Sequence, residues 1–141
     1  MRKNIATTIN EYLAESNDSN EIIAYHGTTD KGYGSYKYTY YTTDYDYAKE
    51  YAQSNGRVEE VKINYKNPFI INAKYMGYGE IVLDNEIIGF YRDLQRDAVE
   101  KLLKKGYDII IVNYPEKNKK AFEIIPFDKT QVTVLNKNVI N

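Results

Sequence analysis

The sequence predicts a single α+β domain built mainly on antiparallel sheets. Helical patterns occupy the start and middle of the chain, strand patterns dominate its second half, and no repeat or linker divides it. At 141 residues the chain has the length of one domain, enough for a core that needs no covalent staples.

Taken in order, MRKNIATTINEYLAES at 1–16 reads as a short helix with Ile5, Ile9, Tyr12 and Leu13 on one face, and it lacks the apolar run of a signal peptide. The polar break NDSN precedes a short strand, EIIAYHG. Residues 29–37, TDKGYGSYK, are Gly-rich and aperiodic, which predicts a loop. The β-rich run YTYYTT then meets TDYDYAKEYAQSNG, where a Thr or Asp caps a helix that Gly56 ends. In RVEEVKINYKNPFIINA, Val58, Val61, Ile63 and Tyr65 are interleaved with polar residues as in a half-buried strand, and Pro68 limits how far the pairing continues. Within residues 75–91, IVLDNEIIGF admits either a hairpin across Asp84-Asn85 or an irregular excursion. RDLQRDAVEKLLKKG at 92–106 is an amphipathic helix with Leu94, Ala98, Leu102 and Leu103 on one face and lysines before Gly106. The chain ends with an apolar strand YDIIIVNY, a charged turn PEKNKK, and strands AFEIIPF and QVTVL.

Composition narrows the function. A net charge of −1 offers no global attraction to nucleic acid or acidic lipid. Cysteine is absent and histidine occurs once, so disulfides, thiol nucleophiles and a metal site are not expected. No stretch approaches the roughly 20 apolar residues of a membrane span. A soluble monomer is expected, acting in its own cytoplasm or delivered into a host's. Sixteen tyrosines with no tryptophan fit a biased source composition, but an amphipathic ring can also stack on a planar ligand.

Chemistry-bearing residues gather in YHGT at 25–28, YYTTDYDYAKEYA at 40–52 and AFEIIPFDKTQV at 121–132. Together with NPFI at 67–70 and KKGYDIIIVN at 104–113, their order resembles the ADP-ribosyltransferase superfamily in its His-Tyr-Glu branch. That branch includes poly-ADP-ribose polymerases, diphtheria-like toxins and small phage and bacterial transferases. The resemblance covers residues 22–135 and implies two packed, mainly antiparallel sheets with a cleft between them and short flanking helices.

The resemblance also implies roles. His26 would bond a ribose hydroxyl of NAD, Gly27 would hold the nicotinamide amide through its backbone, and Thr28 matches the small hydroxyl residue that follows. A glycine suits close approach of ligand to backbone. Tyr40-Tyr41-Thr42 matches the family's Tyr-Phe-Thr strand, which makes Tyr40 the branch's defining tyrosine; Tyr51 would close the other side of the nicotinamide. Two rings about a flat cation gain stacking and cation–π attraction. Glu123 matches the final acidic residue, whose carboxylate would meet the positive charge that builds on the ribose as the nicotinamide bond breaks. It would also orient the incoming nucleophile. By resemblance, the loop entering the catalytic strand helps select the acceptor, and here it carries Lys117, Lys119 and Lys120.

Three departures stand out. The loop between His26 and Tyr40 is short, Ala48 replaces a common serine, and Ala121 removes the paired acidic motif of arginine-directed transferases. The implied function is mono-ADP-ribosyl transfer from NAD to a macromolecular acceptor, protein or nucleic acid, in a toxin or phage effector. Alternatives are an NAD glycohydrolase and a non-catalytic NAD-binding domain; tRNA 2′-phosphotransferase and rifampicin-modifying relatives have motifs not seen here. Without the resemblance, His26 would be structural, Glu123 a solvated strand residue and Tyr51 core packing. Tyr36, Tyr38, Tyr45 and Tyr47 are assigned to packing or surface, and Lys101, Lys104 and Lys105 to a solvated helix end.

Overall fold

A computed structural model describes residues 20–28 and 37–139; the expected N-terminal helix and most of the expected loop lie outside the described residues. Along the chain run β1 (Asn20–Thr28), α1 (Tyr45–Ala52), β2 (Arg57–Tyr65), β3 (Pro68–Asn72), β4 (Glu80–Leu83), β5 (Glu86–Phe90), α2 (Arg96–Lys104), β6 (Ile109–Tyr114), β7 (Lys119–Pro126) and β8 (Val132–Asn136). They form an α+β fold with one three-stranded sheet in the order β1-β2-β8, a second in the order β3-β6-β7, and a β4-β5 hairpin.

The first sheet is antiparallel throughout, with His26 opposite Glu59 and Ala24 opposite Val61. In the second sheet β6 pairs antiparallel with β7 but parallel with β3. A parallel pair needs a long crossover, and the hairpin and α2 supply it. The two open readings of residues 81–90 resolve to the hairpin: Asp84 and Asn85 both take left-handed backbone, φ 53 and 68, as a two-residue turn of this hand requires.

Three apolar clusters hold these parts together. Ala24, Val61 and Ile63 from the first sheet meet Ile109, Ile111, Ala121 and Ile124 from the second, forming the core between the sheets. On its other face, β6 presents Ile110, Val112 and Tyr114 to the hairpin, Tyr91 and helix α2. Both faces of β6 are therefore buried, which explains its unbroken apolar run. The third cluster sets Val58 against Ala48 and Ala52 of α1. Val58 and Val61 thus point to opposite faces of β2, so the strand is covered on both sides at the end where α1 packs.

Several boundaries differ from expectation. YTYYTT forms no extended strand; only Tyr41 and Thr42 make bridges, and they join the two sheets. Tyr41 exchanges backbone bonds with Ile124 of β7 (2.9 and 2.8 Å), and Thr42 with Tyr25 of β1 (2.7 and 2.9 Å). Neighbouring residues of extended chain direct their backbone groups to opposite sides, so two residues suffice for the tie. Helix α1 begins after Asp44, whose carboxylate accepts from the Tyr47 N–H at 3.0 Å, and ends at Ala52 rather than running to Gly56. Gly56 is a point of close approach instead: a Cβ there would stand 2.1 Å from the Ala52 carbonyl oxygen. Helix α2 starts at Arg96, later than its pattern suggests; Val99 is buried, whereas Leu103 is 50% exposed. Strand β7 begins at Lys119, taking in part of the expected charged turn.

Candidate active site

A cleft of about 360 Å³ opens where β1, the tie segment, α1 and β7 meet. His26, Gly27, Thr28, Tyr40, Thr42, Tyr51 and Glu123 all line it, so three separate stretches of sequence converge on one place.

Glu123 owes its position to a bulge. Val112 of β6 pairs with Glu123, but the next pair is Tyr114 with Lys119, leaving residues 120–122 to bow out against Asn113. The Asn113 side chain takes over the broken ladder, accepting from the Ala121 N–H at 2.7 Å. Ala121 itself is held in left-handed backbone, φ 51, an unfavourable state for a residue with a Cβ. A bulge re-aims the side chains beside it. Here Phe122 turns toward Tyr47, with ring centroids 4.4 Å apart, and the Glu123 carboxylate accepts from the Tyr114 hydroxyl at 2.7 Å. Burial raises the Glu123 carboxyl above the usual carboxylate range, while the Tyr114 hydrogen bond and the Arg92 charge oppose that rise. Glu123 is therefore half-buried and hydrogen-bonded, unlike a solvated strand residue.

His26, two residues before the end of β1, has a defined tautomer. Its Nδ1 lies 3.0 Å from the Tyr40 carbonyl oxygen, which can only accept, so Nδ1 carries the proton. In the neutral ring Nε2 is then an acceptor. Tyr40 is fixed at its far end, where its hydroxyl accepts from the Leu94 N–H at 3.0 Å. Tyr40 packs on the cluster that holds Tyr114, while Tyr41 packs on the inter-sheet core and sits 5.5 Å from the His26 ring. The two neighbouring tyrosines therefore divide between opposite sides of the tie. Burial, with the charge of Glu59, pushes the Tyr41 phenol up.

Around these, Thr42 is 4% exposed and its hydroxyl accepts from the Asp44 N–H at 3.0 Å, so it both lines the cleft and starts α1. Gly27 meets a constraint from the helix: a Cβ would stand 1.9 Å from the Ala48 carbonyl oxygen. The close approach that requires glycine here is between β1 and α1. Tyr51 is 47% exposed and packs edge-on against Tyr47, which donates to its hydroxyl at 3.3 Å.

The three lysines separate. Lys119 Nζ is paired with Asp44 at 2.9 Å and lies 4.9 Å from the centre of the Phe122 ring, so it clasps α1 to β7. That bond holds the Asp44 carboxyl below its usual range. Lys117 stands 5.0 Å over the Tyr75 ring, and Lys120 is exposed. Beyond the sequence-derived set, Tyr38, Tyr41, Tyr47, Ala48 and Arg92 also line the cleft, and Tyr114 holds Glu123 from beneath it. Tyr38 and Tyr47 pack on the cluster that holds Tyr114, as expected, and also form part of the cleft wall. The spacing held a clue for Tyr47, since residues four apart on a helix share a face and the resemblance places Tyr51 in the site. Arg92 had no comparable signal.

Among the described residues no group of three or more acidic or histidine side chains is arranged to hold a metal ion, and no helix is long and apolar enough to cross a membrane. A family model described as ADP-ribosyltransferase in polyvalent proteins matches residues 17–141. No curated protein and no solved structure matches the chain.

Proposed function

The chain belongs to this family of ADP-ribosyltransferases, and we propose that it is an NAD-dependent mono-ADP-ribosyltransferase of the His-Tyr-Glu type. The observation that carries this reading is the meeting of His26, Tyr40 and Glu123 around one cleft. These three would be the catalytic residues, with Gly27, Thr28, Thr42 and Tyr51 completing the NAD site. Its size lies near the lower end of the range for small-molecule pockets, roughly 300–1,000 Å³, and suits the nicotinamide-ribose end of a dinucleotide.

Each of these residues has a role that its geometry supports. With Nδ1 engaged by Tyr40, His26 offers Nε2 to a ribose hydroxyl. The half-exposed Tyr51 ring and the Tyr40 ring flank a flat, positively charged nicotinamide. In the transfer, the ribose–nicotinamide bond breaks with its electron pair leaving on nicotinamide, the acceptor's nucleophilic atom bonds the same carbon, and the acceptor gives up a proton. Glu123 meets the positive charge that builds on the ribose, where a fixed carboxylate in a partly dry site acts most strongly. It also orients the acceptor. No step in this scheme calls for a metal.

The acceptor is a macromolecule, protein or nucleic acid, approached over the rim where Lys117, Lys119 and Lys120 stand. With Lys119 engaged by Asp44, capture of an acidic acceptor falls mainly to Lys117 and Lys120. Exposed charges are screened beyond about 8 Å at physiological ionic strength. Replacing Lys117 and Lys120 with alanine, and leaving the Lys119–Asp44 pair in place, is therefore expected to weaken transfer most at low salt while sparing slow NAD hydrolysis. Equal transfer by this variant and wild type across a salt series would remove the lysines from acceptor capture.

Nicotinamide release from NAD, measured with titration of NAD into Tyr40→Ala and Tyr51→Ala, tests the pocket assignment. Loss of either ring should weaken binding by about 0.5–1.5 kcal/mol beyond area terms. Tyr51 is exposed, so Tyr51→Ala should keep its unfolding temperature. Unchanged NAD affinity in both variants would take the nicotinamide out from between these rings.

A further inference from the structure

We propose that Tyr114 is a positioning residue for Glu123: its hydroxyl, held from behind by Tyr91 and Arg92, fixes the carboxylate in the cleft. The role rests on the reading of Glu123 as the catalytic carboxylate.

The geometry dictates the direction of every bond in this cluster. Tyr114 is the last residue of β6 and is 2% exposed. Its hydroxyl is 2.7 Å from Glu123 Oε2, 2.9 Å from the Tyr91 hydroxyl and 3.4 Å from Arg92 Nη2. An ionised carboxylate can only accept and a guanidinium can only donate, while a phenol has one proton and two lone pairs. Tyr114 must therefore give its proton to Glu123, and its lone pairs receive Arg92 and Tyr91. Chains of this kind polarise one another in the same sense.

The cluster is also rigid. Tyr91 is 1% exposed, the Arg92 guanidinium lies 5.5 Å over its ring, and the Tyr114 ring is wedged edge-on between Tyr75 and Phe122, each 5.6 Å away. A core tyrosine needs one partner for its hydroxyl; this one has three, and one is the cleft carboxylate.

The purpose follows from a conflict within the site. Burial strengthens the action of the carboxylate on a nearby positive charge but also favours its protonated, inactive form. Burial is the largest influence on Glu123, and the bond from Tyr114 and the charge of Arg92 are the opposing ones. Other titratable groups at the cleft are Tyr47 and Tyr51 from α1, His26 from β1, Tyr40 and Tyr41 from the tie segment, and Tyr38 just before it. Burial and its neighbours push the Tyr47 phenol far up, so it stays neutral and supplies no charge. Tyr114 and Arg92 are thus the groups that keep a half-buried glutamate ionised and aimed.

Removing the Tyr114 hydroxyl leaves burial less opposed, so the Glu123 carboxyl should titrate at higher pH. Since the ionised form works, the acid limb of turnover should move to higher pH with it. The test follows the carboxyl carbon of Glu123 by NMR titration, and kcat and KM for NAD against pH, in wild type, Tyr114→Phe and Arg92→Gln. Expected are an upward-moved titration in both variants, an acid limb moved the same way, and a kcat for Tyr114→Phe lower by about tenfold at its plateau with KM little changed. A titration and a limb that stay in place would overturn the proposal, as would a moved titration with an unmoved limb. If Tyr114→Phe fails to fold, the exposed Arg92→Gln supplies the same two readouts, and the same results support or overturn the proposal. Glu123→Gln, assayed alongside, separates the two ideas. Full turnover there overturns the reading of Glu123 and this role with it; an inactive Glu123→Gln beside an unshifted Tyr114→Phe overturns the role of Tyr114 alone.

Discussion

Glu123→Gln is expected to keep the fold and much of the NAD affinity while turnover falls by about 100- to 1,000-fold, the usual effect of removing one preorganised electrostatic group. The amide keeps the shape of the side chain and can still accept from Tyr114 through its oxygen. What disappears is the negative charge, which matters only as positive charge develops on the ribose. An interaction made only then shows in kcat and leaves binding of the ground state nearly alone. Folding should even gain slightly at neutral pH, because the raised carboxyl shows that ionised Glu123 is disfavoured by its surroundings. In linkage terms, a carboxyl raised in the folded state gives up stability as pH rises through its folded value, and glutamine abolishes that loss. Thermal unfolding at neutral pH and steady-state kinetics on one preparation measure both effects. Wild-type kcat in this variant would remove Glu123 from the chemistry.

The second large effect is on stability. Gly27→Ala should lower the unfolding temperature of the ligand-free protein, because the new Cβ would meet the Ala48 carbonyl oxygen at 1.9 Å. Backbone at that distance cannot swing aside as a side chain does, so β1 and α1 must part. Overpacking of this kind costs about 1–3 kcal/mol, occasionally more. The shift would loosen Val58 from Ala48 and Ala52 and would move Tyr47 and Tyr51 away from the cleft. NAD binding should therefore fall as well. The order of effects is diagnostic: a glycine needed only for close approach of ligand would leave the ligand-free protein as stable as wild type. Differential scanning calorimetry without NAD decides between the two.

The residues that meet at this cleft could be picked out of the sequence through the order of three short motifs and the family that order resembles. Local pattern alone placed them on strands and a helix without marking a site. His26-Gly27 lies near the end of a short strand, Tyr40-Tyr41-Thr42 falls in a β-rich run, and Glu123 alternates with apolar neighbours. What escaped depended on contacts between distant segments. Tyr114 ends an apolar strand and carries no mark of its hydroxyl's partner, which lies across the β6-β7 bulge. Arg92 sits in a 3-10 turn, Tyr91–Asp93, next to the stretch whose pattern fitted two structures. The unfavourable backbone of Ala121 has no signature, since alanine is not a residue that favours left-handed conformation. YTYYTT had the composition of a strand but became a two-residue tie, because its partners β1 and β7 belong to different sheets. By contrast, the parallel β3-β6 pair had left a trace in the four consecutive apolar residues from Ile109 to Val112, which mark a strand buried on both faces.

The most direct test of the central claim is incubation of the protein with NAD labelled in its adenylate half and a cell lysate, following nicotinamide release and macromolecule-bound label together. Wild type should release nicotinamide and place a matching amount of label on protease- or nuclease-sensitive material, and Glu123→Gln should do neither at a comparable rate. Nicotinamide release with no bound label would replace transfer with hydrolysis. Release no faster from wild type than from Glu123→Gln would contradict the assignment of NAD chemistry to this cleft.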